Sequence, residues 1–245
     1  MNMSVSVCMA TYNGEKFVKQ QLESILKQID AVDEVIISDD SSTDNTLHVI
    51  KEIDDPRIKI FAGNMFRDPI QNFQNALRNA SGDLIFLSDQ DDIWMDGKYL
   101  EMKDLLLEYD LVTSDSIIVD EKLQEIESSF FKFFGSGKGI IKNMIRSSYY
   151  GSCMAFRKNI LADALPFPNT KEIGHDLWIG LVAELTGKVY FYNKPLLLYR
   201  RHQSALTPEG IKSTRTFKQM LNGRIIMIKE LIKFISRRKL KCKKD

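Results

Sequence analysis

The chain has 245 residues, 44% of them hydrophobic and 27% charged, with a formal net charge of +1. That suffices for one large α/β domain or two small ones with a buried core, in a composition ordinary for a soluble globular protein. Three scattered cysteines without a CxxC pair argue against a disulfide framework or zinc site. The start MNMSVSVCMATYNGE lacks a leader's basic and apolar regions, and no apolar run is long enough to span a bilayer, so a reducing cytoplasm is expected.

In chain order, residues 5–9 read as a buried strand, 10–14 (ATYNG) as the turn after it, and 15–28 as a helix with Phe17, Leu22, Ile25 and Leu26 at helical spacing. Residues 34–37 form a second strand closed by Asp39 and Asp40, and residues 41–44 offer caps for a helix over 46–53. A third strand follows at 57–61, a helix at 72–79 and a fourth strand at 83–88. That strand runs straight into Asp89, Asp91 and Asp92, with Trp94 just behind. A helix over 97–107 and a strand over 111–119 complete an alternation that predicts an α/β domain, its mixed, mostly parallel sheet flanked by helices.

The second half is less regular. Residues 125–146 contain FFKFFG and two further glycines, and read as a mobile flap with exposed aromatics available to a partner or acceptor. A strand is expected at 151–157, a short helix ending at Pro166, a helix over 175–185 with Asp176 in its first turn, and strands at 188–192 and 195–200. The expected division is a catalytic domain over 1–211, with a nucleotide-binding half to about 120 and an acceptor half after it, and a tail over 212–245. That tail holds 12 of the 34 Lys/Arg and two of the 33 acids, leaving 22 basic against 31 acidic residues in the body. Phe217, Met220, Leu221, Ile225, Ile228, Leu231, Ile232 and Ile235 recur there at helical spacing among Lys229, Lys233, Arg237 and Arg238. A basic amphipathic helix of this kind either lies on an anionic membrane surface or docks on the body. The acidic body argues against nucleic acid as a partner.

Two acidic clusters at the carboxyl ends of different strands face one crevice in an open α/β sheet, where such folds bind ligands. Crowded carboxylates are costly unless a cation or hydrogen-bond donors compensate them. A hard divalent ion, Mg²⁺ or Mn²⁺, does so and shares such carboxylates with substrate phosphates. The pattern points to an enzyme handling a phosphorylated donor.

The segments VSVCMATYNGE, DEVIISDDSSTDNT, SGDLIFLSDQDDIW, GSCMAFRKNIL with ALPFP, GHDLW and PLLLYRRH occur in this order over residues 5–202. The ordered set resembles glycosyltransferase family 2, with its single-domain A-type nucleotide-sugar fold. SDQDDIW, HDLW and YRRH are most similar to the rhamnosyltransferase-type branch. The resemblance implies that Asp40 reads the N3–H of uracil or thymine with Asp39 alongside, while Ala10, Thr11 and Tyr12 pack around base and ribose. It gives Asp91 to ribose and metal, Asp92 to direct metal contact, and His202 to metal or diphosphate, unless that histidine is a surface residue. Asp176 becomes the general base that deprotonates the acceptor, in a His175-Asp176 pair where the family usually has Glu-Asp. Trp94, His175 and Trp178 are candidates for sugar or acceptor contacts, with core packing the alternative for the tryptophans. An arginine the family often places before the fourth strand has no counterpart in Gln71-Asn72-Phe73, so its phosphate contact stays unassigned.

The implied activity is inverting transfer from a UDP- or dTDP-sugar, dTDP-L-rhamnose first, to a saccharide or lipid-linked acceptor in surface polysaccharide synthesis. Such an enzyme is expected in the cytoplasm, peripheral on the inner face of the membrane. The alternative is a catalytically silent nucleotide-sugar-binding scaffold.

Overall fold

The computed structural model describes residues 3–202 and 216–241. Its first half alternates β1 (Val5–Thr11), α1 (Val18–Leu26), β2 (Glu34–Asp39), α2 (Thr46–Lys51), β3 (Ile58–Phe61), α3 (Pro69–Arg78) and β4 (Leu84–Ser88). These four strands pair in parallel in the order β3-β2-β1-β4. Strands buried on both faces read as nearly continuous apolar runs, which is why VSVCM, EVII and LIFL are so conspicuous. Side chains alternate across the sheet: Val5, Val7 and Met9 meet α1, while Cys8, Ile85 and Leu87 belong to the opposite core. Asp68 caps α3 by accepting from the Ile70 amide at 2.9 Å, with Pro69 opening the helix. No comparable side-chain cap precedes α2, although Asp44 Oδ1 accepts from the Thr46 amide at 3.0 Å.

The second half is added mainly by antiparallel pairing. It comprises β5 (Ile93–Trp94), α4 (Lys98–Leu105), β6 (Leu111–Val119), β7 (Glu125–Glu127), α5 (Phe130–Phe134), α6 (Ile140–Ile145), β8 (Met154–Arg157), α7 (Lys158–Ala164), α8 (His175–Thr186), β9 (Val189–Arg200) and α9 (Phe217–Lys241). The sheet continues from β4 as β8-β6-β9-β5, with β7 on β6. The two strands expected at 188–192 and 195–200 are one. Along β6, Ser114 faces Tyr192 and Asp115 faces Pro195, so Asn193 and Lys194 are absorbed as an irregularity in a continuous pairing. The pair β5–β9 sets Ile93 against Leu198 and Trp94 against Leu197. It thereby ties the end of the DQDD motif to the approach of the YRRH segment.

Residues 125–146 are folded against the body, and the aromatics expected to be exposed are not. Phe131 is buried, and Phe130, Phe133 and Phe134 are half-buried. Phe130 lies 5.6 Å from Tyr150 and 6.0 Å from Tyr199 between ring centroids. The anchors are buried Asp115, whose Oδ1 accepts from the Phe131 amide at 2.8 Å, and Glu184, which accepts from the Gly139 amide and the Tyr149 hydroxyl. In the basic tail, Met227 and Leu231 of α9 are buried on the body, the Phe234 ring meets Trp178 edge-on at 6.0 Å, and Arg238 pairs with Asp163 at 3.0 Å. One face of α9 therefore docks. The expected boundary at 211/212 lies outside the described residues.

Candidate active site

The acidic residues gather at the carboxyl edge of β2, β1 and β4. Adjacent residues of an extended chain point to opposite sides, and this separates Asp39, which ends β2, from Asp40, which follows it. Asp39 is fully buried and accepts from Thr11 Oγ1 at 2.8 Å, the Ser42 amide at 2.9 Å and Ser42 Oγ at 2.6 Å. Asp39 and the Thr11 side chain thus brace the turn from inside, which leaves the Thr11 backbone as the part of that residue able to face a donor. Asp40 Oδ1 accepts from the Phe66 amide at 2.6 Å and Oδ2 from the Asp68 amide at 3.3 Å, so the loop after β3 folds onto this carboxylate. Ala10 is partly buried against the core, whereas the Tyr12 ring is 56% exposed.

Sequence reasoning passed over Gln90, although it stands inside the DQDD motif. Its Oε1 accepts from the Tyr12 amide at 3.0 Å and its Nε2 donates to the Tyr12 carbonyl at 3.0 Å. The side-chain amide clamps the Tyr12 peptide from both sides and couples the first turn to the acidic motif. A Cβ on Gly14 would fall 2.3 Å from Gln90 Oε1, so the clamp requires glycine there.

The aspartates of the motif divide the work. His202 is buried, and its Nε2 lies 2.9 Å from Asp91 Oδ2; its ring packs on Phe17 with centroids 4.6 Å apart. His202 is thus no surface residue. Asp92 is fully buried: Oδ1 accepts from the Arg200 amide at 3.0 Å and Oδ2 from the Tyr150 hydroxyl at 3.3 Å. Both oxygens are hydrogen-bonded to the scaffold, as are those of Asp40, and Asp91, with 19% of its side chain exposed, is the more open carboxylate of the pair. Asp89 accepts from Ser152 Oγ at 3.1 Å; burial, then the charge of Asp91, push its pKa up to about 7. Asp92 is raised for the same reasons in the same order. Two cations answer this acidity. Lys98, wholly buried, donates to the Ser152 carbonyl at 2.9 Å, and burial pushes its pKa down to about 8. Arg200 stacks over the Phe17 ring at 4.7 Å and donates to Gln20 Oε1 at 2.7 Å. Among the described residues no three His, Cys, Asp or Glu side chains converge on one point. The closest approach to a ligand set is the Asp91–His202 pair. Its oxygen and nitrogen donors suit a divalent ion that completes its shell with substrate phosphates and water.

Asp176 stands at the start of α8, half-exposed, with Oδ1 accepting from the Leu177 amide at 2.7 Å. It lies within electrostatic reach of Asp89, whose pKa it helps to raise. Gly151 separates α8 from β4: a Cβ there would sit 3.9 Å from both Asp176 Cβ and Leu87 Cδ1. His175 stacks on Phe73 with centroids 4.0 Å apart, and burial lowers its pKa. Neither tryptophan offers a face to a sugar. Trp94 is buried against Phe86 at 5.5 Å between centroids, and Trp178 is buried with Nε1 donating to the Ala164 carbonyl at 3.0 Å. Both are core residues, which corrects the sugar contacts expected of them.

A parallel β3-β2-β1-β4 half with acidic turns at its carboxyl edge, extended by antiparallel strands, is the A-type fold of nucleotide-sugar glycosyltransferases. Solved structures share it: Staphylococcus aureus TarS 1–349 in complex with UDP-GlcNAc superposes with a TM-score of 0.70 at 20% identity, over 92% of this chain and 66% of that one. The mannosyltransferase PcManGT of Pyrobaculum calidifontis, in complex with GDP-Man and Mn²⁺, gives 0.61 at 18% identity, over 84% and 59%. The chain thus spans less than two thirds of the length of these solved chains. The profile of Glycosyl transferase family 2 matches residues 6–165, and the chain belongs to that family. Among relatives, the UDP-Glc:alpha-D-GlcNAc-diphosphoundecaprenol beta-1,3-glucosyltransferase WfgD of Escherichia coli is 25% identical, over 86% of this chain and 82% of its own. The dTDP-rhamnosyl transferase RfbG of Shigella flexneri is 28% identical, over 86% and 78%.

Proposed function

We propose that this protein transfers a sugar, with inversion, from a UDP- or dTDP-sugar to a hydroxyl of a lipid-linked saccharide in surface polysaccharide synthesis. dTDP-L-rhamnose is the first donor to test. The observation that carries the reading is the linkage of the acidic motif to three separate elements: to the Tyr12 turn through Gln90, to His202 through Asp91, and to the start of α8 through the field between Asp89 and Asp176. The relatives named above support the donor classes and, for WfgD, the diphosphoundecaprenol acceptor.

In this reading the base lies between the Tyr12 ring and Asp40, whose carboxylate accepts the N3–H. Asp176 takes the proton of the acceptor hydroxyl while that oxygen bonds to the anomeric carbon. The bond from that carbon to the diphosphate oxygen breaks on the opposite face, and the electron pair leaves with the nucleoside diphosphate. A divalent ion held by Asp91 and His202 would supply charge neutralisation for the departing diphosphate. Arg200, close to the same acids, holds the YRRH segment in place through its backbone amide and its Gln20 contact.

The test incubates the purified protein with Mn²⁺ or Mg²⁺, a panel of nucleotide sugars and diphospholipid-linked acceptors. Product from a UDP- or dTDP-sugar, with inverted anomeric configuration, is expected. Donor-dependent thermal stabilisation without turnover across the panel would replace the transferase with the silent scaffold.

A further inference from the structure

The helix α9 is apolar on two sides, and the body covers only one of them. Met227 and Leu231 are buried and Phe234 half-buried against it. On the other side Leu221, Ile225, Ile228, Ile232 and Ile235, spaced four, three, four and three residues apart, are 38–58% exposed. At 1.5 Å per residue the stripe runs about 21 Å along the helix. Lys218, Lys229, Lys233, Arg237 and Lys239 are exposed on the same helix. Of these, Lys233 is paired with Glu230. The helix holds eight Lys/Arg against that single acid. Alongside it, α6 leaves Ile141 and Ile145 exposed, and the Arg224 guanidinium donates to the Ile145 carbonyl, which fixes α6 against α9.

Resting on the lipid-linked acceptor proposed above, we propose that this outer face of α9, with the neighbouring tip of α6, lies in the headgroup region of an anionic phospholipid bilayer. Exposed isoleucines flanked along one side by Lys218, Lys229 and Lys233 match such a surface on both counts: the aliphatic side chains enter the acyl boundary and the flanking cations reach lipid phosphates. A second copy of the chain is a poorer occupant, because pairing two such helices along their stripes would bring two strongly cationic surfaces together. None of the stripe residues is used in the active site, so the surface and the chemistry can be separated by mutation.

The experiment is flotation of the full chain with phosphatidylglycerol/phosphatidylethanolamine vesicles and with pure phosphatidylcholine vesicles, at low and high salt. The expected result is co-flotation with the anionic vesicles only, weakened by salt. I228E/I232E is expected to abolish it while the melting temperature stays within about 2 °C of wild type, because both sites are exposed. K229Q/R237Q is expected to lower partitioning roughly 30-fold, since each surface cation contributes about fivefold. A wild type that stays at the bottom of the gradient while anionic vesicles float, equal flotation on phosphatidylcholine, or unchanged flotation of I228E/I232E would overturn the proposal. So would a wild-type dimer in light scattering that I228E/I232E converts to monomer. Flotation needs neither donor nor acceptor, so absence of sugar transfer would count against the transferase reading and leave this result standing.

Discussion

Replacing Gln90 by glutamate tests whether the clamp on Tyr12 sets donor affinity. The wild-type amide gives one hydrogen bond to the Tyr12 carbonyl and takes one from its amide, both at 3.0 Å. Glutamate keeps the second and loses the first, and it turns a carboxylate oxygen toward a carbonyl oxygen. A lost neutral hydrogen bond is about 0.5–1.5 kcal/mol, and the facing acceptors add to it, so about 1–2 kcal/mol is expected. If Tyr12 holds the base, that corresponds to roughly 5- to 30-fold weaker donor binding. Steady-state kinetics with varied donor should show KM raised by that factor with kcat within about threefold, because Asp176 stands on a different element. Gly14→Ala reaches the same clamp from the other side: its methyl would collide with Gln90 Oε1, and Gly14 has no left-handed φ to add strain of its own. Both variants should also lose most of the thermal stabilisation given by UDP or dTDP. Unchanged donor affinity in both, or a fallen kcat at constant KM, would refute the reasoning.

Other outcomes follow from the same geometry. Asp176→Asn keeps the acceptor for the Leu177 amide but cannot take a proton; kcat should fall by roughly 10²–10⁴ while donor-induced stabilisation persists, and wild-type turnover would remove Asp176 from the chemistry. Leu231→Ala, under the docked face of α9, should cost about 2–4 kcal/mol, whereas exposed Ile232→Ala should stay within about 0.5 kcal/mol; equal losses in urea denaturation would mean the docked face is misassigned. Asp89 and Asp92 have raised pKa values, so the folded state holds protons that the unfolded chain releases near pH 4. The contribution of Asp89 is complete below that pH and is lost as pH rises through about 7, and that of Asp92 is lost in the same direction, so the melting temperature without divalent ion should fall from pH 5 to pH 8. Asp89→Asn should flatten that slope; an unaltered slope would place the titration elsewhere.

Much of the catalytic body was legible because its first half obeys local rules. Buried parallel strands must be apolar on both faces, and the polar residues that follow them must lie at one edge, so VSVCMATYNG, EVIISDD and LIFLSDQDD marked both the strands and the crevice. The helical period of the tail likewise announced α9 before any contact was known. What stayed hidden was decided by pairing across long stretches of chain. Asp92 and Arg200 meet because β5 pairs with β9, 108 residues apart at that bond, and no local pattern records that partnership. The Asn193-Lys194 pair looks like a turn in sequence and is absorbed into β9 because β6 holds the flanking residues on both sides.

Residue type and spacing thus determined which side chains gather at the carboxyl edge, while direction and burial came only from packing. Asp39 and Asp40 are identical in sequence terms, yet one braces a turn and the other faces the loop after β3, since neighbouring residues of an extended chain project to opposite sides. Trp94 and Trp178 have the chemistry to stack on sugars, but the sheet and α7 enclose them. In α9 the periodicity supplies two apolar faces of similar character. The position of Trp178 on the body selects the one that is buried, because a helix can present only one side to a given surface.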